Sequence, residues 1–248
     1  MNFKDNKKIW YLSGFFIVII VALMMIIVFT PQEIKKAKEV INIATEADTK
    51  SFTFFDISTD TALTETIRKT LSDQLGSETV AESSPIDLSM NYQGFLQKYS
   101  KELSELNYKL NDTTGARIEH NTFTLTYRYP PKDKTLFDYV RLMFSNYSKK
   151  PLLFIISAEK EASTILDTLI AKYGEPKINN WDEKQGVSYH WQKGEDILIL
   201  SQSLNRIGNP EFNIHIYFEH NINELLLTEK REVLKKEQEQ RRVDREAF

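Results

Sequence analysis

Between Ile9 and Thr30 the chain carries no charged residue: IWYLSGFFIVIIVALMMIIVFT. A bilayer core about 30 Å thick takes about 20 apolar residues as a helix, so this run is long enough to span it. A secretory signal has a shorter apolar core, about 7–15 residues, and ends in small side chains suited to cleavage. Here the run closes on Met25-Ile26-Ile27-Val28-Phe29-Thr30-Pro31, bulky where small residues are required. The absence of cysteine also removes lipidation of a cleaved N-terminal cysteine. The expectation is an uncleaved signal anchor, apolar on every face and therefore unsuited to a half-exposed surface helix.

Lys4, Lys7 and Lys8 precede the run and Lys35, Lys36 and Lys38 follow it, so the flanking positive charge is nearly balanced. Trp10 and Tyr11 sit where aromatic side chains anchor a helix at the interface. Long domains translocate largely regardless of charge, so the short basic N-terminus is expected in the cytoplasm with the remainder exported. A composition rich in Ile, Lys and Asn fits a bacterial chain. The expected location is thus a bacterial inner membrane, single-pass, with the soluble domain on the periplasmic or extracellular side.

The expected organisation is a short basic N-terminus (1–8), the membrane anchor (9–30), a juxtamembrane stalk (31–50), an α+β domain (51–220) and a charged C-terminal helix (221–248). Hydrophobic residues make up 41% of the chain, enough to fill a core. The net charge of −3 leaves no basic footprint for nucleic acid. Without cysteine there is no disulfide, no thiol nucleophile and no Cys-ligated metal. No internal repeat stands out.

The first half reads as helical. After the β-prone run SFTFFDIS, Leu63, Ile67, Leu71 and Leu75 form an i, i+4 stripe ending at Gly76, with Asp60 as its cap. SETVAESSP reads as a polar loop. Tyr92, Phe95, Tyr99, Leu103, Leu106 and Leu110 then fall at spacings of three and four, as on one amphipathic helix.

From Thr122 the period changes to two. TFTLTYRY, FDYVRLMFSNY and LLFIIS read as strands, followed by a helix capped by Ser157 with Ala162, Ile165, Leu166, Leu169, Ile170 and Tyr173 on its buried side. GVSYHWQ, DILILSQ and EFNIHIYF are three more strands. The fold class is therefore α+β: an N-terminal transmembrane helix, a helical first half, an antiparallel sheet in β-β-β-α-β-β-β order with a helix on one face, and a charged C-terminal helix. In that last helix Ile222, Leu225, Leu226 and Val233 can pack, and the residues beyond Leu234 face solvent.

No sequence motif names a reaction. HExxH, GxSxG, GxGxxG and GxxxxGK[ST] are all missing, so metalloprotease, α/β-hydrolase, Rossmann and P-loop chemistries lack their entry requirement. No catalytic residue, cofactor or metal site is expected. The residues singled out for ligand or partner contact are three. Trp181 stands among polar neighbours in INNWDEKQG and reads as exposed. His215 shares a strand face with Tyr217, and could face His190 if the register allows. Phe248 tips the C-terminal helix, which is the expected arm for a protein partner. The functional expectation is a single-pass membrane protein whose exported domain binds a partner or ligand without catalysis. The alternatives are a membrane-tethered hydrolase without a recognisable motif and a cytoplasm-facing membrane adaptor.

Overall fold

In the computed structural model the described residues are 51–111, 118–131, 135–158, 162–181, 186–204 and 207–246. The apolar run Ile9–Thr30 and the stalk to residue 50 lie outside them. Among the described residues no helix is long and apolar enough to cross a membrane.

The chain first makes a tight turn, pairing Phe54 with Ile57, in place of the strand expected over residues 51–58. Helix α1 (Glu65–Leu75) follows. Its cap is Thr64, not Asp60: the Thr64 hydroxyl accepts from the Ile67 amide at 3.3 Å and satisfies one of the open N–H groups of the first turn. Strand β1 (Glu78–Ser84) occupies the segment expected to be a loop. The single helix expected from Tyr92 to Leu110 is broken at Ser100 into α2 (Phe95–Tyr99) and α3 (Lys101–Leu110). Strands β2 (His120–Arg128), β3 (Tyr139–Ser145) and β4 (Pro151–Ala158) come next, then α4 (Ala162–Tyr173). Ser157 belongs to β4 and does not cap α4. The chain closes with β5 (Lys177–Asn180), β6 (Gly186–Lys193), β7 (Asp196–Leu204), β8 (Pro210–Tyr217) and α5 (Glu219–Glu246).

The eight strands among the described residues form one antiparallel sheet in the order β1-β2-β3-β4-β8-β7-β6-β5. Two four-stranded meanders meet at a central seam where β4 pairs with β8. Each meander is preceded by a helix, α1 in one case and α4 in the other, and both helices pack on the same face. The topology is thus an α-β-β-β-β unit used twice, with α2 and α3 inserted between the first two strands of the first copy. The repeat left no trace in sequence because its parts differ: β1 has seven residues and β5 four.

Helices cover both faces of the sheet, not one. The first face carries Leu125, Tyr127, Leu142, Phe154, Trp191, Leu198 and Ile216 under α1 and α4. The second carries Met143, Leu153, Ile197, Ile199 and Tyr217 under α2, α3 and the start of α5. The central strands LLFIIS and DILIL are apolar on both sides for this reason. Such uninterrupted runs signal strands buried on two faces, whereas alternation signals one.

Helix α5 docks only through its first turns. Ile222 and Leu225 are buried, and Asn221 donates from Nδ2 to the carbonyls of Thr59 (2.8 Å) and Pro151 (2.9 Å). Val233, expected to pack, is 54% exposed. From Lys230 to Arg245 every side chain faces solvent.

Candidate functional site

Trp181 does not lie on the surface. It is 8% exposed on the second face, edge-to-face with Tyr92 (5.5 Å) and Phe95 (5.7 Å). Its indole N–H donates to Ser188 Oγ at 3.3 Å. The polar residues beside it in sequence say nothing about the aromatic partners that reach it from α2. Burying the ring removes a large apolar area from water and makes it part of the core.

His215, on β8, is also buried. Its ring stacks against Tyr217 at 5.9 Å, and Nδ1 has no hydrogen-bond partner among the described residues. Burial, reinforced by the charge of Arg141, pushes its pKa down to about 3, so the ring is neutral at pH 7. His190 shares the face with His215, but Ile199 stands between them in the pairing, so the two rings do not form a pair of ligands. Burial and Lys177 hold His190 at about 4. No cluster of His, Asp and Glu suited to a metal ion occurs among the described residues. Phe248 lies outside those residues.

His190 Nε2 does sit 3.0 Å from Ser188 Oγ. This is not a nucleophile and its base. The Ser188 hydroxyl is fully buried and also receives the Trp181 N–H, so no substrate carbon can approach it.

The structure places an open groove of about 430 Å³ next to this aromatic cluster, among residues that sequence reasoning passed over. One wall is the segment Ser89–Gln97 and the other comes from Ser104 and Asn107 of α3. Backbone conformation shapes it: Asn91 (φ 60°) and Gly94 (φ 86°) adopt left-handed conformations that turn the chain into α2. Asn is among the side chains that tolerate this region and Gly meets no penalty there. The walls are tied together by Asn107, whose Oδ1 accepts from the Leu88 amide at 2.8 Å. Asp87 accepts from the Ser89 amide at 2.9 Å and fixes the start of the wall.

The lining offers amides and hydroxyls from Ser89, Asn91, Gln93, Gln97 and Ser104 above an apolar floor of Met90, Phe95 and Leu96. Among the described residues no Asp, Glu, His, Lys or Arg lines it. Such groups donate and accept hydrogen bonds but do not exchange protons at neutral pH. The one sequence signal was Gly94 inside an apparent helix, a residue that marks a break as readily as a tolerated defect.

Comparison with protein-family models, with curated proteins and with solved structures finds no match to this chain.

Proposed function

We propose that this chain is a single-pass membrane protein, anchored through residues 9–30, whose exported α+β domain binds a partner or ligand without catalysis. The groove bounded by Ser89–Gln97 carries this reading. It is open, partly apolar and lined by neutral hydrogen-bonding groups, the combination that suits recognition. Its chemistry matches an uncharged polar ligand such as an extended peptide backbone or a sugar, each of which presents both donors and acceptors. The apolar run Ile9–Thr30 supports the anchor, and the balanced flanking lysines leave the export direction to the length of the domain.

The test places a photo-crosslinking amino acid at Gln97 of the full chain in its native membrane, with Glu224, exposed on α5, as the reference position. A discrete adduct at Gln97, lost when Ser104→Arg fills the groove and absent at Glu224, supports the reading. No adduct, or adducts of equal yield at both positions, overturns it. Intact mass of the membrane-extracted chain tests the anchor: a mature form starting near Pro31 ends that part of the proposal. Digestion by protease added to the outside of spheroplasts supports export, and protection from it favours the cytoplasm-facing alternative.

A further inference from the structure

The second face of the sheet is apolar only over half its height. Toward the end where β2 and β3 connect, two successive cross-strand rows turn polar. One runs Tyr139, Ser157, Asn213, Ser201 across β3, β4, β8 and β7. The next runs Thr126, Arg141, Ile155, His215 across β2, β3, β4 and β8. Directly opposed residues in a ladder put their side chains on one face, so these groups share one surface.

Arg141 is the anomaly in it. Its side chain is half-buried in the middle strands of a sheet, and among the described residues it makes no hydrogen bond and no ion pair. Its row runs Thr79, Thr126, Arg141, Ile155, His215, Ile199, His190 and Lys177, none of them a carboxylate. A half-buried guanidinium without a counter-charge is unusual in a chain where acids outnumber Lys and Arg by 35 to 32. Among the described strand residues of these rows and their neighbours, the nearby carboxylate is Glu211, two residues from Asn213, whose Nδ2 approaches it at 3.4 Å. Glu211 lies four residues from His215, about 13 Å along the strand, too far to neutralise Arg141. The second anomaly is His215 itself, 6% exposed with a ring nitrogen that no group among the described residues satisfies. An orphaned buried donor or acceptor is uncommon in a folded protein. Both anomalies fall in one row, two strands apart, about 10 Å between backbones. An arginine side chain covers most of that distance.

We propose that Arg141 and His215 form a binding site for an oxyanion, the carboxylate or phosphate group of a small ligand. The guanidinium presents paired donors that match a two-oxygen anion, and His215, carrying its proton on Nδ1, donates a third hydrogen bond. Ser157 rims the site. Its hydroxyl donates to Asn213 Oδ1 at 2.6 Å and holds that amide in place. Ile155, between Arg141 and His215, supplies the apolar wall that strengthens a charge-assisted bond. The anion supplies the counter-charge for Arg141 and the missing partner for His215 in one step. This assignment stands apart from the groove and does not depend on it.

The test uses the full chain in detergent micelles, with inorganic phosphate as the probe at constant ionic strength and acetate as the carboxylate arm. Calorimetric titration is expected to give saturable binding at millimolar concentration. Arg141→Gln weakens it by about tenfold or more, while Arg128→Gln, an exposed arginine on the neighbouring strand, changes it by less than about twofold. In a chain with 15N-labelled histidine, the ring signals of His215 move on titration and those of exposed His220 do not. Should Arg141→Gln fail to fold, Arg141→Lys keeps the charge without the planar fork and is expected to weaken binding several-fold. Absence of saturable binding, equal losses in the two arginine variants, or a silent His215 overturns the assignment. A preference for phosphate over acetate, or the reverse, identifies which anion the site takes.

Discussion

The indole of Trp181 occupies the space that a side chain at residue 186 would need: a Cβ added to Gly186 would stand 2.2 Å from Trp181 Cε3. The ring is held from the other side by Tyr92 and Phe95 and cannot step back without losing both contacts. Gly186→Ala is therefore expected to destabilise the domain by about 2–3 kcal/mol, as overpacking does. Trp181→Ala should cost about 3–5 kcal/mol through the cavity it leaves. Chemical denaturation of the full chain in micelles checks both. A near-neutral Gly186→Ala would mean that the ring has room to move.

This pair also marks where reading the sequence stopped. Most strands of the second half were legible, either by period two, as in TFTLTYRY, or as short apolar runs, as in LLFIIS and DILIL; Tyr189 and Trp191, at alternate positions of β6, lie in the core with the α4 side chains. Trp191 even donates to the Gly174 carbonyl at the end of α4, 2.7 Å away. Trp181 was not legible, because Tyr92 and Phe95 approach it from far along the chain. β1 was missed for a different reason. ETVAESS is an edge strand with five consecutive exposed residues, and its backbone pairing with β2 defines it, not its side chains. The groove needed the break at Ser100 and the left-handed residues before α2, which a helical stripe conceals. Arg141 was visible in sequence as a charge inside YVRLMFS, but its lack of a partner is a property of the sheet alone.

The projecting half of α5 has little to offer the fold. From Lys235 to Arg245 its side chains are exposed, and its interactions are surface pairs such as Glu237 with Arg241 at 3.9 Å. Exposed pairs of this kind contribute a few tenths of a kcal/mol. Deleting Lys235–Phe248 should leave the melting temperature of the remaining chain within about 2 °C, since the side chains from Lys235 to Arg245 bury no core area. A larger drop would show that this end packs against the domain.

Asn221 is different although it lies on the same helix. It is buried, and its two Nδ2 hydrogens are both used, on Thr59 and on Pro151. It ties the segment before α1 and the start of β4 to the first turn of α5. Replacing it with Ala leaves two buried carbonyls without donors, each a loss of about 1–3 kcal/mol. Asn221→Ala should thus destabilise by about 2–4 kcal/mol, against almost nothing for Asn223→Ala on the half-buried side of the same turn. Equal melts for the two variants would count against the staple.

His120 stands at the start of β2. Its Nε2 lies 2.9 Å from the Leu110 carbonyl and its Nδ1 2.8 Å from Glu229 Oε2 on α5. A carbonyl and a carboxylate both accept, and with both ring nitrogens donating to them the ring is an imidazolium. Burial works against that charge, but the Glu229 carboxylate and the Leu110 carbonyl outweigh it and raise the pKa above the usual histidine value. Glu229 also accepts from the Asn121 amide at 2.7 Å, so it cannot turn away without leaving a second group open. Because the folded pKa is the higher one, the stabilisation is complete below the unfolded value near 6.5 and fades as pH rises through the folded pKa. His120→Gln should therefore cost most at about pH 6 and progressively less toward pH 8 and above, while Glu229→Gln should follow the same trend. Thermal melts of the wild type and both variants across that range measure the difference directly. A penalty for His120→Gln that grows with rising pH would show that the ring is neutral in the folded protein and that its contact with Glu229 is made by a protonated carboxyl.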